Sequence, residues 1–529
     1  MVSRRWLDLS VLTGAVAVTR FAFRSHDLYD LDSVNFALGM VRFDPRVYQP
    51  HPPGYFLYVC LGRLLNLPLH DANLALVLLS VIASCGTAIV IYLLASDWFG
   101  VHAARFAGAL FLLSPLAWFH GIVALTYSVE AFFSALIGYL CWSVYRGRAN
   151  VALAAALVLG ISAGIRPSSL LFLGPLFLFS LWYAPRRRMA GVLVLLLTLV
   201  AWFLPMVAAS GGFAIYFGAL FSLWGIVPEK TTVFNSSPAN SIARAFTIFF
   251  IYLLGFGAAS IAPLEARYRT APEDPRKKIF TLVWIVPALC FFTFIFLKFV
   301  NSGYLLLLAA PACAWLGHWA AQWYEHAGWR KSVKHTLIGV FAVVNIFIFL
   351  ESPLYCSYRS VRRFDATMEA VRTALPQVAP PQGTLLIGFD SHFLGYRHAG
   401  YYLPDYSTVE YPEVRLREGV RVFAMHDRNT RLLATLPTSQ YSRFVLFPLP
   451  ADSGSYKEYL QTVLRKLPHA GLQTIHLDGF DFVTGPISDV ACLFPRTTSL
   501  PQGVSTPSRS CTGCKQPCTP IPAISSITP

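Results

Sequence analysis

The chain has 529 residues, of which 55% are hydrophobic and only 13% are charged, and its formal net charge is +15. A soluble protein of this length would carry far more surface charge, so the composition excludes that class. The positive charge does not indicate a nucleic-acid partner, because the basic residues fall in short loops between apolar runs, as membrane topology requires. The sequence therefore predicts a mostly α-helical, polytopic membrane protein that contacts membrane lipid and no nucleic acid.

Apolar runs long enough to cross roughly 30 Å of hydrocarbon recur along the first two thirds of the chain. Six basic clusters alternate with these runs and fall on one side of the predicted membrane. Because positive loops stay in the cytoplasm, the N-terminus is predicted to be cytoplasmic. Eleven membrane-spanning helices are predicted, at 7–24, 73–96, 104–119, 122–143, 150–165, 168–184, 189–209, 243–263, 279–297, 302–321 and 336–352.

The composition becomes more polar after the last of these runs. Residues 1–354 form the predicted transmembrane domain, and residues 355–495 are polar enough for a folded domain that the topology places outside the membrane. Its strands are predicted at 384–388, 420–424 and 443–447 and its helices at 360–375 and 456–467. The alternation predicts a small extracytoplasmic α/β domain. Residues 496–529 are rich in Ser, Thr and Pro, which predicts a disordered tail. The tail cysteines Cys511, Cys514 and Cys518 can form disulfides or bind zinc, and the sequence leaves both alternatives open.

The first outer loop, residues 25–53, concentrates acids in a chain that has only 27 of them. Its aspartates are Asp27, Asp30, Asp32 and Asp44. A stiff turn, His51-Pro52-Pro53-Gly54, follows them and precedes a predicted surface helix at 54–66. A carboxylate at a membrane surface can act as a general base on an acceptor hydroxyl or amine. A lipid-phosphate donor also needs cations on the same side, and the candidates are Arg42, Arg46, His51, Arg63, Arg166 and Lys298.

These motifs, in this order, resemble a known family of membrane enzymes. Besides Tyr29-Asp30-Leu31-Asp32-Ser33 and the His-Pro-Pro-Gly turn, the chain carries three weaker matches: Ser128-Val129-Glu130, GISAGIRP at 160–167 and FVNSGYLLLLAAP at 299–311. Over residues 5–350 the pattern resembles the GT-C glycosyltransferases of the protein O-mannosyltransferase and lipid A aminoarabinose transferase type. The resemblance implies a GT-C transmembrane domain.

The resemblance also implies inverting transfer of a sugar from a polyprenyl-phosphate donor to an extracytoplasmic acceptor. Asp32 matches the family's first-loop base, and Glu130 matches its second acidic position. His51 matches a position that touches the donor phosphate, and Lys298 is a further phosphate candidate. Many relatives have two adjacent acids in the first loop, whereas Asp32 has no acidic neighbour. This departure leaves Asp30 as an alternative base and leaves open whether a divalent cation takes part; no metal ligand or other cofactor is predicted.

Simpler roles compete with these assignments. Asp32 has the residue type and position of a helix N-cap, and Arg166 or Lys298 can extend from a helix end toward the membrane surface. For the whole protein, the alternatives to a glycosyltransferase are a transporter and a non-catalytic membrane scaffold. The two halves show no repeat of the kind that is common in transporters. The sugar stays open, as does the choice of protein, lipid or glycan as acceptor, and the resemblance favours a bacterial inner membrane.

Overall fold

The computed structural model describes residues 2–226, 238–257, 274–297, 299–353, 357–388, 391–410, 413–417, 420–424, 440–447, 471–477 and 480–488. The chain divides into two compact units. Unit 1 contains residues 1–26 and 35–362, and unit 2 contains residues 27–34 and 363–529. The short segment 27–34, with three of the first-loop aspartates, therefore belongs to the unit that the C-terminal part of the chain forms.

Unit 1 is helical, as its long apolar runs require. Its helices, with α2 beginning in the segment 27–34, are α1 (Val2–Ala22), α2 (Leu31–Val41), α3 (Phe56–Leu69), α4 (Ala72–Phe99), α5 (Val101–Leu113), α6 (Pro115–Ile122), α7 (Tyr127–Tyr145), α8 (Val151–Ile165), α9 (Ser168–Trp182), α10 (Arg188–Ala209), α11 (Phe213–Ile226), α12 (Pro238–Phe256), α13 (Pro275–Phe294), α14 (Ala309–His326) and α15 (Lys331–Glu351). Shorter 3₁₀ helices lie at Pro45–Val47, Pro185–Arg187 and Phe299–Leu308.

Several of these helices have the length and composition of membrane spans. Among the described residues six are long and apolar enough to cross, or seven if α5 and α6 form one bent span. The chain is thus an integral membrane protein. Helices α8 and α9 have 15 residues each, fewer than the roughly 20 that a straight span needs. The number of eleven spans and the orientation in the membrane stay predictions.

Small residues bring two helices of unit 1 into close contact. Gly317 of α14 lies so near α5 that an added Cβ would stand 2.6 Å from the backbone nitrogen of Ala107 and 2.7 Å from the carbonyl oxygen of Ala103. Lipid supplies no hydrophobic force between helices, so close backbone packing at small residues has to stabilise such a pair.

Helices α5 and α6 follow one another directly, with an angle of 56° between them. Pro115 causes the break, because it has no N–H to donate to the carbonyl of Phe111. Arg20 of α1, which is 0% exposed, supplies replacement donors. Its Nη1 donates to the carbonyl of Leu112 at 2.9 Å and its Nη2 to that of Phe111 at 3.3 Å. A buried arginine therefore stabilises the break, and its charge lies where the α5 dipole favours a cation.

Unit 2 is an α/β layer. Helix α16 (Tyr358–Val378) leads into it, and α17 (Tyr396–Tyr402) follows the first strand. The strands are β1 (Thr384–Gly388), β2 (Ser407–Glu410), β3 (Glu413–Arg417), β4 (Val420–Ala424), β5 (Arg443–Leu446), β6 (Gln473–Leu477) and β7 (Phe480–Pro486). Five of them form a sheet in the order β2-β1-β5-β7-β6, in which β1 runs parallel to both neighbours and β7 antiparallel to both of its own. Strands β3 and β4 form a separate antiparallel pair.

The predicted strands correspond to β1, β4 and β5, and the predicted helix at 360–375 corresponds to α16. On α16 the buried positions Phe364, Met368, Val371 and Leu375 recur every three or four residues, which is the spacing of one helix face. The predicted helix at 456–467 and the predicted tail with Cys511, Cys514 and Cys518 lie outside the described residues.

Candidate active site

The two candidate bases, Asp30 and Asp32, lie together at the start of α2. Asp30 directly precedes the helix, and its Oδ1 accepts a hydrogen bond from the backbone N–H of Asp32 at 2.8 Å. Its carbonyl accepts from the N–H of Val34 at 3.2 Å. Asp30 therefore caps the helix, whereas Asp32 lies in the first turn. The interpretation of Asp32 as the N-cap is wrong by two residues, because α2 begins at Leu31 and its N-cap is the preceding residue, Asp30.

Asp30 has the electrostatics of a group that exchanges protons near neutral pH. Burial, together with the nearby charge of Asp32, raises its pKa from 3.8 to about 7. His392 opposes this rise, since its Nδ1 lies 3.8 Å from the Asp30 Oδ2. An acid whose pKa is close to the working pH can both accept and return a proton. Sequence reasoning did not place His392 beside Asp30, because the two residues lie more than 350 positions apart along the chain.

Glu130 and Arg166 form a buried ion pair in unit 1. Glu130 lies in the first turn of α7, and Arg166 ends α8 just before Pro167. The Arg166 Nε is 3.3 Å from the Glu130 Oε2, and the two residues are 4% and 2% exposed. Arg166 Nη1 also donates to the Thr126 hydroxyl at 2.9 Å, and the Ser168 hydroxyl donates to Glu130 at 3.4 Å. The second acid and one of the predicted phosphate ligands are thus brought together.

Three tyrosine rings lie near the Arg166 guanidinium. The Arg166 guanidinium carbon lies 4.1 Å from the ring centre of Tyr304, 4.6 Å from that of Tyr127 and 6.0 Å from that of Tyr55. The negative ring faces attract the cation, so they stabilise it away from water. Sequence reasoning did not assign these tyrosines to the site, although Tyr127 and Tyr304 lie within or beside motifs that it singled out.

His51 lies next to this cluster. Its Nε2 is 3.2 Å from the Tyr55 hydroxyl, and Tyr55 is also the third ring near Arg166. The ring of Phe36 lies 6.0 Å from the imidazole. His51, Tyr55, Arg166 and Glu130 therefore form one continuous series of contacts within unit 1.

Arg63 is placed differently. Its Nε donates to the carbonyl of Met40 at 2.6 Å and its Nη2 to that of Gly39 at 2.9 Å. Both carbonyls belong to the last turn of α2, where a cation also complements the helix dipole. The guanidinium thus fastens α3 to the end of α2.

Lys298 was a predicted phosphate contact, and the participation of a divalent cation was left open. Lys298 lies outside the described residues. Among the residues that the structure describes, no three His, Cys, Asp or Glu side chains lie close enough together to hold a metal ion. These donors therefore do not fit a three-ligand metal site, and no step of the proposed reaction is assigned to a metal.

Comparison with known proteins identifies the fold. Residues 46–189 match the family described as the protein O-mannosyl-transferase TMEM260 N-terminal domain. That segment contains His51, Glu130 and Arg166. No curated protein matches the chain in sequence.

Two kinds of solved structure share the architecture. ArnT from Cupriavidus metallidurans bound to undecaprenyl phosphate is 13% identical, with a TM-score of 0.56 over 93% of this chain and 99% of that one. The Archaeoglobus fulgidus oligosaccharyltransferase in complex with Zn and sulfate is 12% identical, with a TM-score of 0.52 over 90% of this chain and 72% of that one. Both are GT-C glycosyltransferases, so the chain has the GT-C fold that its motifs predict.

Proposed function

We propose that this protein is a membrane glycosyltransferase that moves a sugar from a polyprenyl-phosphate donor to an acceptor on the outer side of the membrane. The observation that carries the proposal is a pair of carboxylates, Asp30 and Asp32, fixed at the start of a helix in a chain with the GT-C fold. ArnT, which shares this fold, is bound to undecaprenyl phosphate, and this supports the donor class.

In the proposed reaction the acceptor oxygen or nitrogen attacks the anomeric carbon of the sugar. The new bond forms as the bond between that carbon and the phosphate oxygen breaks, and polyprenyl phosphate leaves with the electron pair. Asp32 takes the proton that the acceptor loses, with Asp30 as the alternative base. Such a positioned base contributes typically 10²–10⁴-fold to a rate, on the order of 3–5 kcal/mol.

Arg166 is the proposed contact for the departing phosphate. A guanidinium has five N–H donors, and those on Nε and Nη1 face Glu130 and Thr126. Nη2 makes no hydrogen bond to the described residues and is therefore available to a phosphate oxygen. Glu130 then orients Arg166, and His51 is a second phosphate contact through its place beside Tyr55.

The test is turnover of a panel of polyprenyl-phosphate sugars by the full-length protein in lipid nanodiscs, with Asp32→Asn and Asp30→Asn as variants. Asp44→Asn is the matched control, because Asp44 is a buried acid of the same loop that pairs with Arg46 at 2.8 Å. One of the two variants should lose at least about a hundredfold in kcat, while the control keeps its activity. Equal activity of all three variants contradicts the assignment of the base. No turnover of any donor by the wild type favours the transporter or the scaffold.

A further inference from the structure

Unit 2 holds the acidic segment 27–34 through its backbone. The N–H of Asp27 donates to the Oδ1 of Asp365 at 3.2 Å, and the N–H of Leu28 donates to the Tyr402 hydroxyl at 2.6 Å. The N–H of Leu31 donates to the carbonyl of His392 at 2.8 Å. Three amides of one short segment are therefore fixed by groups that lie far away in sequence.

The side chains of the segment are held as well. The Asp27 carboxylate lies 2.5 Å from a terminal nitrogen of Arg372, whose guanidinium carbon is also 4.3 Å from the ring centre of Tyr402. Tyr29 packs its ring 5.3 Å from that of Phe364 and 4.9 Å from that of Phe393. These contacts fasten an acidic and an aromatic side chain of the segment to unit 2.

The geometry has a direct consequence for the two candidate bases. Leu31 lies between Asp30 and Asp32 in the sequence, and Leu28 lies two residues before Asp30. The hydrogen bonds of the Leu28 and Leu31 amides therefore fix the backbone from which both carboxylates extend. Main-chain restraint of this kind matters in catalysis, because a displacement of about 1 Å at a reacting group can cost a hundredfold in rate.

We infer that unit 2 is the positioning device for the catalytic base, and that Tyr402 and Arg372 are positioning residues that set the location of Asp30 and Asp32 without touching substrate. The inference rests on the proposed function, since it names the part of the chain that orients the base. It also assigns a role to the C-terminal unit, for which the sequence offered no residue-level argument.

Four variants of the full-length protein in nanodiscs test this. Tyr402→Phe removes the oxygen that accepts from Leu28, and Arg372→Met removes the partner of Asp27. Arg372→Lys restores a point charge without the planar fork. Glu369→Gln is the matched control, because Glu369 is the exposed second partner of Arg372, at 3.5 Å.

Two measurements are made on each variant: hydrogen–deuterium exchange of the peptide that contains residues 27–34, and steady-state transfer kinetics. Tyr402→Phe and Arg372→Met should speed exchange of this peptide and lower kcat by about 10- to 100-fold. The donor KM should stay within about threefold, because donor contacts are unchanged. Arg372→Lys should recover part of kcat, and Glu369→Gln should behave as the wild type in both measurements.

Unchanged exchange in Tyr402→Phe and Arg372→Met overturns the inference, whatever the activity. Faster exchange with unchanged kcat also overturns the inference, since it would show that loosening the segment does not affect the catalytic base. If the wild type turns over no donor, the proposed function fails, and the positioning role fails with it, although the exchange data still report on the contacts themselves.

Discussion

The buried pair of Glu130 and Arg166 offers a prediction whose magnitude follows from its surroundings. Their side chains are 2% and 5% exposed. Removing one partner of such a pair typically costs about 3–5 kcal/mol, because the other charge is left buried. In Glu130→Gln the Arg166 charge keeps the Thr126 hydroxyl and the tyrosine rings, which reduces the loss. The free energy of unfolding should therefore fall by about 2–4 kcal/mol.

The assay is thermal unfolding in detergent, followed by tryptophan fluorescence. Glu130→Gln should lower Tm by roughly 2–5 °C, because the entropy of unfolding of so long a chain is large. The matched control is Glu325→Gln, the same chemical change in an exposed pair: Glu325 lies 3.1 Å from the Nδ1 of His102, and the two side chains are 44% and 69% exposed. The control should cost at most about 1 kcal/mol, as exposed pairs usually do.

A double-mutant cycle decides whether the pair itself is responsible. Glu130→Leu and Arg166→Met should each destabilise the protein alone, whereas the double variant that combines them should recover most of the loss, because replacing both buried charges by apolar groups is often neutral. The reasoning is refuted if Glu130→Gln loses no more than Glu325→Gln, or if the double variant is as unstable as the sum of the single ones.

Two further variants test Asp30 and Arg20. Because burial raises the pKa of Asp30 to about 7, the folded chain keeps a proton that the unfolded chain releases, so this group destabilises the fold as pH rises from about 4 through 7. Asp30→Asn keeps a capping side chain and should raise Tm relative to the wild type more at pH 8 than at pH 4; an equal difference at both pH values contradicts this. Arg20→Met leaves the Leu112 carbonyl at the helix break without its donor, whereas the Phe111 carbonyl keeps the Ser114 N–H at 3.3 Å. This variant should cost about 1–3 kcal/mol in the same assay. The partly exposed Arg24→Met should cost much less, and equal losses would argue against the role of Arg20.

Local patterns allowed much of the architecture to be predicted. The run Thr384–Gly388 is apolar and ends in glycine, and it forms a strand with those bounds. The break at Pro115 follows from the chemistry of proline. The sequence analysis nevertheless predicted one continuous span at 104–119, because the mean hydropathy of a segment does not change when one backbone N–H is missing. Strand β2 was missed because Ser407–Glu410 has few apolar residues to mark it.

The candidate site was predictable in its residue types but not in its partners. Glu130 was predicted as the second acid and Arg166 as a phosphate contact, yet their pairing depends on how α7 and α8 pack. Asp30 rather than Asp32 caps α2 because the helix begins at Leu31. Helix propensity along the sequence does not determine at which residue a helix begins. Residues 27–34 are fixed by hydrogen bonds from their backbone amides, one of them to a tyrosine hydroxyl. Such contacts leave no recognisable pattern in the sequence.

The membership of residues 27–34 in the C-terminal unit also sets an order of events during biosynthesis. Asp27 and its partner Asp365 are 338 positions apart. At about 5–20 residues per second the ribosome needs roughly 20–70 s to make the intervening chain. Throughout that interval the acidic segment exists without the groups that hold it, while helix after helix enters the membrane. A chain truncated before α16 would therefore carry the acids but never acquire their arrangement.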